Sequence, residues 1–93
     1  MKYTLQRTAS FKKDYKLIKK RGYDMSKLVA VVSVLADGQD LPAVYSDHAL
    51  TGNWKGYREC HIQPDWLLVY KIIDDCLILS LTRTGTHSDI FKK

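Results

Sequence analysis

The fold is decided by the run Trp54-Lys55-Gly56-Tyr57-Arg58-Glu59-Cys60-His61-Ile62, Gln63-Pro64-Asp65, Trp66-Leu67-Leu68-Val69-Tyr70-Lys71-Ile72-Ile73, Asp74-Asp75 and Cys76-Leu77-Ile78-Leu79-Ser80-Leu81-Thr82-Arg83. It reads as three strands joined by two short turns, and connections that short imply an antiparallel meander. The second and third runs are apolar at nearly every position, as expected of central strands covered by helices. The first differs. Its alternation puts Trp54, Arg58, Cys60 and Ile62 on one face and Lys55, Tyr57, Glu59 and His61 on the other, so one face is ionisable from end to end.

Working outward, Lys2 to Arg7 alternate Tyr3 and Leu5 with polar residues and predict a first strand. Phe11, Tyr15 and Ile18 then recur at helical spacing, with Thr8 or Ser10 as N-cap and Gly22 as the stop. Asp24 offers a second N-cap, and Met25, Leu28, Val29, Val32, Leu35 and Ala36 form an apolar stripe that ends before Gly38. The β-branched valines weaken helix propensity there, but the stripe and both end signals favour helix over strand. Gln39 to Asn53, with Pro42 and Gly52, reads as a long loop that carries His48. The expectation is an α+β chain with two N-terminal helices on a mainly antiparallel four-stranded sheet, residues 1–93 forming one domain.

With 93 residues, 45% of them hydrophobic and 27% charged, the composition is that of a globular domain. At this size about 60% of the unfolded chain's surface is buried, enough for one core without disulfide staples. A formal charge of +5 and a pI near 9.3 favour an anionic partner, nucleic acid first. The longest apolar stretch, Trp66 to Ile73, is interrupted by Lys71 and is far shorter than the roughly 20 residues of a membrane span. Met1 to Arg7 lack a secretory h-region, so a cytoplasmic location is expected. Cys60 and Cys76 are expected to be reduced, buried thiols.

The chemistry rests on three histidines and two carboxylates. Glu59 and His61 share a strand face, Asp65 follows in the next turn, and His48 and His87 lie in loops. Should these converge, they supply what RNA cleavage through its own 2′-hydroxyl needs: a base for that proton, an acid for the departing 5′-oxygen, and no metal. Histidine serves both roles near neutrality. Arg83 and Lys55 are the expected phosphate contacts, with a structural ion pair to a nearby carboxylate the alternative for Arg83, and Trp66 and Phe91 are the rings for unpaired bases, although core packing is the commoner use of a tryptophan such as Trp66. A zinc site built from the histidines with Asp65 or Glu59 is the rival, but their spacing matches no compact ligand motif. Lys12, Lys13, Lys16, Lys19, Lys20 and Arg21, with Asp14 the only acid among them, make either a solvated helix face or a rail for a phosphate backbone.

The string from Asp47-His48-Ala49-Leu50-Thr51-Gly52-Asn53-Trp54 through Arg58, His61 and Pro64-Asp65-Trp66, with Leu68-Val69-Tyr70-Lys71 and Arg83-Thr84-Gly85-Thr86-His87, resembles the YafQ branch of the RelE/ParE toxin superfamily. The resemblance extends to Phe11-Lys12-Lys13-Asp14 and so spans nearly the whole chain. It implies a microbial-ribonuclease-like fold with a curved sheet. It also implies a bacterial type II toxin that cleaves mRNA in the A site of the 70S ribosome and is silenced by a cognate antitoxin, in a complex able to bind operator DNA. The family's catalytic positions fall on His48, His61, Asp65 and His87, a further carboxylate position on Glu59, where relatives commonly have Asp, and the C-terminal aromatic on Phe91. The superfamily also holds inactive and gyrase-directed members, so a non-catalytic nucleic-acid binder or a gyrase inhibitor is the alternative. Neither would need the histidine set.

Overall fold

In the computed structural model, which describes residues 1–91, strand β1 (Thr4–Arg7) leads into helices α1 (Ala9–Lys20) and α2 (Met25–Ala36). Then come strands β2 (His48–Ala49), β3 (Arg58–Gln63), β4 (Trp66–Ile73) and β5 (Ile78–Gly85), and a final short helix α3 (His87–Phe91). The last two residues of the expected 1–93 domain lie outside the described residues.

Both long helices start where their capping chemistry dictates. The Thr8 hydroxyl accepts from the Phe11 amide at 3.0 Å and the Asp24 carboxylate from the Ser26 amide at 3.0 Å, satisfying donors that the first turn leaves free. After α1 the chain turns at Gly22, whose φ of +87° suits a residue without Cβ. The buried face of α2 is Leu28, Val31, Leu35 and Ala36, while Val29 is 59% exposed. The expected stripe was therefore rotated by part of a turn: the valine cluster satisfies two neighbouring stripes equally well, and packing on the sheet selects one.

The sheet has five strands in the order β1-β5-β4-β3-β2, one more than expected. Strands β3, β4 and β5 form the antiparallel meander, and β1 adds to the far edge of β5 in parallel. The extra strand, β2, is two residues long and hidden in the presumed loop, where it pairs His48 with Glu59 and Ala49 with Arg58. Strand β3 begins at Arg58 rather than at Trp54, because Gly52–Trp54 forms a 3-10 turn and Gly56 takes φ +94°.

Alternation divides the sheet into two faces of unequal depth. Trp66, Leu68 and Tyr70 of β4, with Cys60, Ile62, Leu79 and Leu81, meet Phe11, Ile18, Leu28, Val31 and Leu35 of the helices in the main core. On the opposite face Leu67, Val69 and Ile90 make a smaller cluster edged by Leu50, Trp54, Tyr57 and Phe91. Trp66 is 1% exposed, donates its indole N–H to the Thr84 hydroxyl at 2.9 Å and meets Tyr23 edge-on at 5.0 Å. It is a core residue and cannot serve as a stacking platform for RNA. Of the two free cysteines only Cys60 is buried, its thiol pushed up to about 12 chiefly by burial; Cys76 is exposed in the turn before β5, contrary to expectation.

Candidate active site

The smaller face carries the titratable residues. Register places His48 directly opposite Glu59 across β2 and β3, so both side chains leave the same side of the sheet, and His61 follows two residues along β3. Glu59 is only 5% exposed, and one of its oxygens serves both neighbours: Oε2 lies 3.2 Å from His48 Nε2 and 3.4 Å from His61 Nε2. A carboxylate so buried must be compensated, and the two imidazoles do this.

The His48 ring is fixed at its other nitrogen. Nδ1 lies 2.7 Å from the Ser46 carbonyl, which can only accept, so Nδ1 carries a proton and Nε2 faces Glu59. At 3.2 Å the contact between His48 Nε2 and Glu59 Oε2 is an ion pair whenever the ring carries its second proton. The adjoining Asp47 anchors this segment from below, accepting from the Tyr70 hydroxyl at 2.8 Å and from Arg58 Nε at 3.2 Å. Burial and the Asp47 carboxylate raise the Tyr70 hydroxyl well above the usual phenol range, so it remains a donor.

His87 arrives from a different part of the chain. It opens α3, and the Asp65 carboxylate receives both its backbone amide at 3.1 Å and its ring Nδ1 at 2.7 Å. Nδ1 is thus the donor, and Nε2 is the nitrogen left to meet a substrate. The same hydrogen bonds hold the Asp65 carboxyl below the ordinary aspartate range. The three rings form a row, with centroids 6.3 Å apart for His48 and His61 and 5.8 Å apart for His61 and His87.

Helix α3 is short and needs help to form. The Thr86 hydroxyl accepts from the Asp89 amide at 3.1 Å while the Asp89 carboxylate accepts from the Thr86 amide at 3.0 Å, a reciprocal capping box. Asp89 also takes a two-pronged ion pair from Arg21 at the end of α1, at 2.7 and 3.2 Å, which brings its carboxyl down to about 2. The pattern Thr86-x-x-Asp89 is a helix-start signal carried by the sequence itself. Behind it, Arg83 places Nε and Nη2 2.6 and 3.1 Å from the Asp14 oxygens, and Nη2 also donates to the Asp89 carbonyl at 3.3 Å. Arg83 is therefore committed to a structural ion pair and does not present a free guanidinium to phosphate, a correction to the sequence expectation. Asp14 announced this only weakly, as a lone acid among the lysines of α1.

Two rings border the row. Phe91 lies 6.5 Å from His87 and 5.8 Å from Trp54, which meets it edge-on and is itself half-buried. Lys55, exposed, follows Trp54 in the chain. Ligand atoms of Glu59, His61 and His87 lie within 4.8 Å of one another, close enough for a transition-metal ion to take two imidazoles and a carboxylate. Among the described residues no helix is long and apolar enough to cross a membrane.

Comparison with known proteins places this arrangement in a family. A relative named mRNA interferase toxin YafQ, from Escherichia coli strain K12, is 46% identical over 88 residues, which is 94% of each chain. The E. coli DinJ–YafQ complex contains a chain 44% identical, superposing with a TM-score of 0.88 over 96% of this chain and 98% of that one. A metal-bound toxin from Helicobacter pylori is also 44% identical, with a TM-score of 0.91 over 96% and 99% of the two chains. The family model described as the bacterial toxin of the type II toxin–antitoxin system, YafQ, matches residues 3–92. With its histidine row, its capped C-terminal helix and this match over nearly its full length, the chain belongs to the YafQ family of type II toxins.

Proposed function

We propose that the chain is an mRNA endoribonuclease, the toxin half of a type II pair, and that it cuts mRNA in the ribosomal A site through the message's own 2′-hydroxyl. The observation that carries this reading is the Asp65-bound His87 standing in one row with the Glu59-linked His48 and His61. A ribonuclease of this type needs two proton-transfer groups on either side of one phosphate. His48 and His87 occupy the two ends of the row and take these roles, His87 through its free Nε2 and His48 by exchanging its Glu59 contact at Nε2 for the substrate. Glu59, His61 and Asp65 position them and offset the charge that each gains or loses.

In the forward step the base removes the 2′-proton and the freed oxygen attacks the adjacent phosphorus. The acid protonates the 5′-oxygen as its bond to phosphorus breaks. The products are a 2′,3′-cyclic phosphate and a 5′-hydroxyl, with no net redox change. Lys55 contacts phosphate, and Phe91, backed by Trp54, offers the ring against which an unpaired base stacks. The net charge of +5 and the lysines of α1 suit an RNA-rich partner such as the ribosome. By analogy with the E. coli complex, a cognate antitoxin would silence the toxin by covering this face, and the pair would act in the cytoplasm.

The test is primer extension on a defined message in a reconstituted translation system, with and without ribosomes, comparing the parent with His87→Ala. Cuts that require ribosomes and vanish in the variant are expected. If neither protein cuts under either condition, the nuclease reading falls.

The Glu59, His61 and His87 donors favour a second role for the same atoms. An ion there would occupy lone pairs that proton transfer requires, so zinc or copper should inhibit cleavage and chelator should restore it. Cleavage that depends on such an ion would contradict this.

A further inference from the structure

A cleft of about 420 Å³ opens beside His61, between the 3-10 turn Ala43–Tyr45 and the turn that joins β3 to β4. Its lining includes Val44, Tyr45 and Ser46 on one side and Gln63 and Pro64 on the other, with His61 between them. The volume falls within the range of about 300–1,000 Å³ found for ligand pockets. None of the proton-transfer chemistry above uses it.

The local backbone is arranged to keep this cleft open and to tie it to the histidine row. Pairing between β3 and β4 slips between His61 and Gln63, a bulge of the kind that re-aims side chains next to active sites. On the other wall Ser46 sits in the left-handed region at φ +49°, uncommon for a residue with Cβ, and its carbonyl is the group that fixes His48 Nδ1 at 2.7 Å. The same short segment therefore forms a cleft wall and holds a catalytic ring. Val44 at the mouth is 80% exposed, and Tyr45 is half-buried.

We propose that this cleft receives one unpaired nucleobase of the message, the base flanking the scissile phosphate, and that Gln63 reads its edge. The inference rests on the nuclease reading above. Its chemistry fits a base. An aromatic ring, a valine and a proline supply flat apolar walls, and an exposed amide offers both a donor and an acceptor, as recognition of splayed-out single-stranded bases requires. Its position fits too, since a base held against His61 leaves its own phosphate at the row. The cleft thereby contributes the sequence preference of cleavage.

Two measurements test this. In the first, cut sites are mapped across a message containing all codons for the parent, Gln63→Ala and Val44→Trp. Gln63→Ala should lower the ratio of cuts at the favoured over the least favoured flanking base by about tenfold, the loss expected for one base-edge contact. Val44→Trp, which crowds the mouth, should weaken cutting at every site while leaving the circular dichroism spectrum unchanged. An unchanged site profile and rate in both variants would overturn the proposal.

The second measurement does not depend on cleavage. A 2′-O-methyl tetranucleotide, which cannot react, is titrated into the 15N-labelled parent, and shifts are expected at residues 44–46 and 61–64 as well as along the histidine row, with those of residues 44–46 lost in Val44→Trp. Shifts elsewhere only, or none, would overturn the proposal. A parent that cuts nothing but shows these shifts would keep the base site and discard the nuclease reading.

Discussion

His48 and His61 stand on paired strands and share one carboxylate that is 5% exposed, whereas His87 opens a five-residue helix and leans on Asp65, whose side chain is 67% exposed. The first pair is positioned by sheet register, which cannot slip by one residue without turning every side chain to the other face. The second is positioned by local contacts near the C-terminus: the Thr86–Asp89 capping box and the Arg21 ion pair. One half of the site is thus part of the fold, and the other is docked onto it. Damage to the two halves should differ in kind. In the sheet half, activity and stability are linked; in the docked half, activity can be lost while the sheet stands.

The largest effect should come from His87→Ala, which removes one of the two proposed proton-transfer groups and should lower the single-turnover cleavage rate by about 10²–10⁴-fold. Because His87 is exposed at the start of α3, the thermal midpoint should barely move. A fall in both rate and midpoint would blur the contrast between the halves.

Next is Glu59→Gln. The amide keeps the shape but cannot hold both imidazoles as the carboxylate does, and mispositioning by about 1 Å costs up to about 10²-fold in rate. The pH–rate profile should change shape as well, since the variant alters the charge facing His48 and His61, a result that a merely structural role would not give.

A smaller loss is expected from Asp89→Ala. The change removes half of the capping box and the Arg21 ion pair together, at about 1–2 kcal/mol, roughly a five- to thirtyfold change in the population of formed α3. Amide exchange should quicken across His87–Phe91 and stay slow in β4. Equal quickening in both would mean that the helix is not an independent unit.

Acid gives the smallest and most gradual effect. The Asp89 carboxyl is lowered from 3.8 to about 2, mainly by the Arg21 hydrogen bond, and the Asp65 carboxyl is lowered by His87. A carboxyl lowered by folding adds stability that is complete above its ordinary value and is lost as pH falls through the folded one. Between pH 3.8 and about 2, α3 should therefore loosen before the sheet does, measurable as amide signals of residues 86–91 broadening first.

Legibility followed the same division. The bounds of β4, Trp66–Ile73, could be read outright, because a strand buried on both faces and bounded by Pro-Asp and Asp-Asp turns has no competing reading. The shared face of Glu59 and His61 followed from period two alone. Strand β2 did not, since two residues carry no periodicity; its partnership with β3 is set by tertiary pairing. For the same reason the sequence offered His48 and His87 as loop histidines but could not place them 6.3 and 5.8 Å from His61. Arg83 shows the opposite error, and Trp66 resolves to the core role that was the commoner expectation for it. Residue type admitted either RNA contact or a structural role, and Asp14 and Thr84, distant in sequence, claimed both side chains for the fold. The capping box of α3 was the signal within reach, and it would have located the second half of the site.

The most direct test of the central claim, that this row of histidines cuts RNA through the substrate's own hydroxyl, is the chemistry of the cut ends. The fragments released from translated mRNA should carry 2′,3′-cyclic phosphate and 5′-hydroxyl termini, and a message with 2′-deoxyribose at the cleaved position should survive intact. Fragments ending in 3′-hydroxyl and 5′-phosphate, or cleavage of the deoxy-substituted message, would contradict the account.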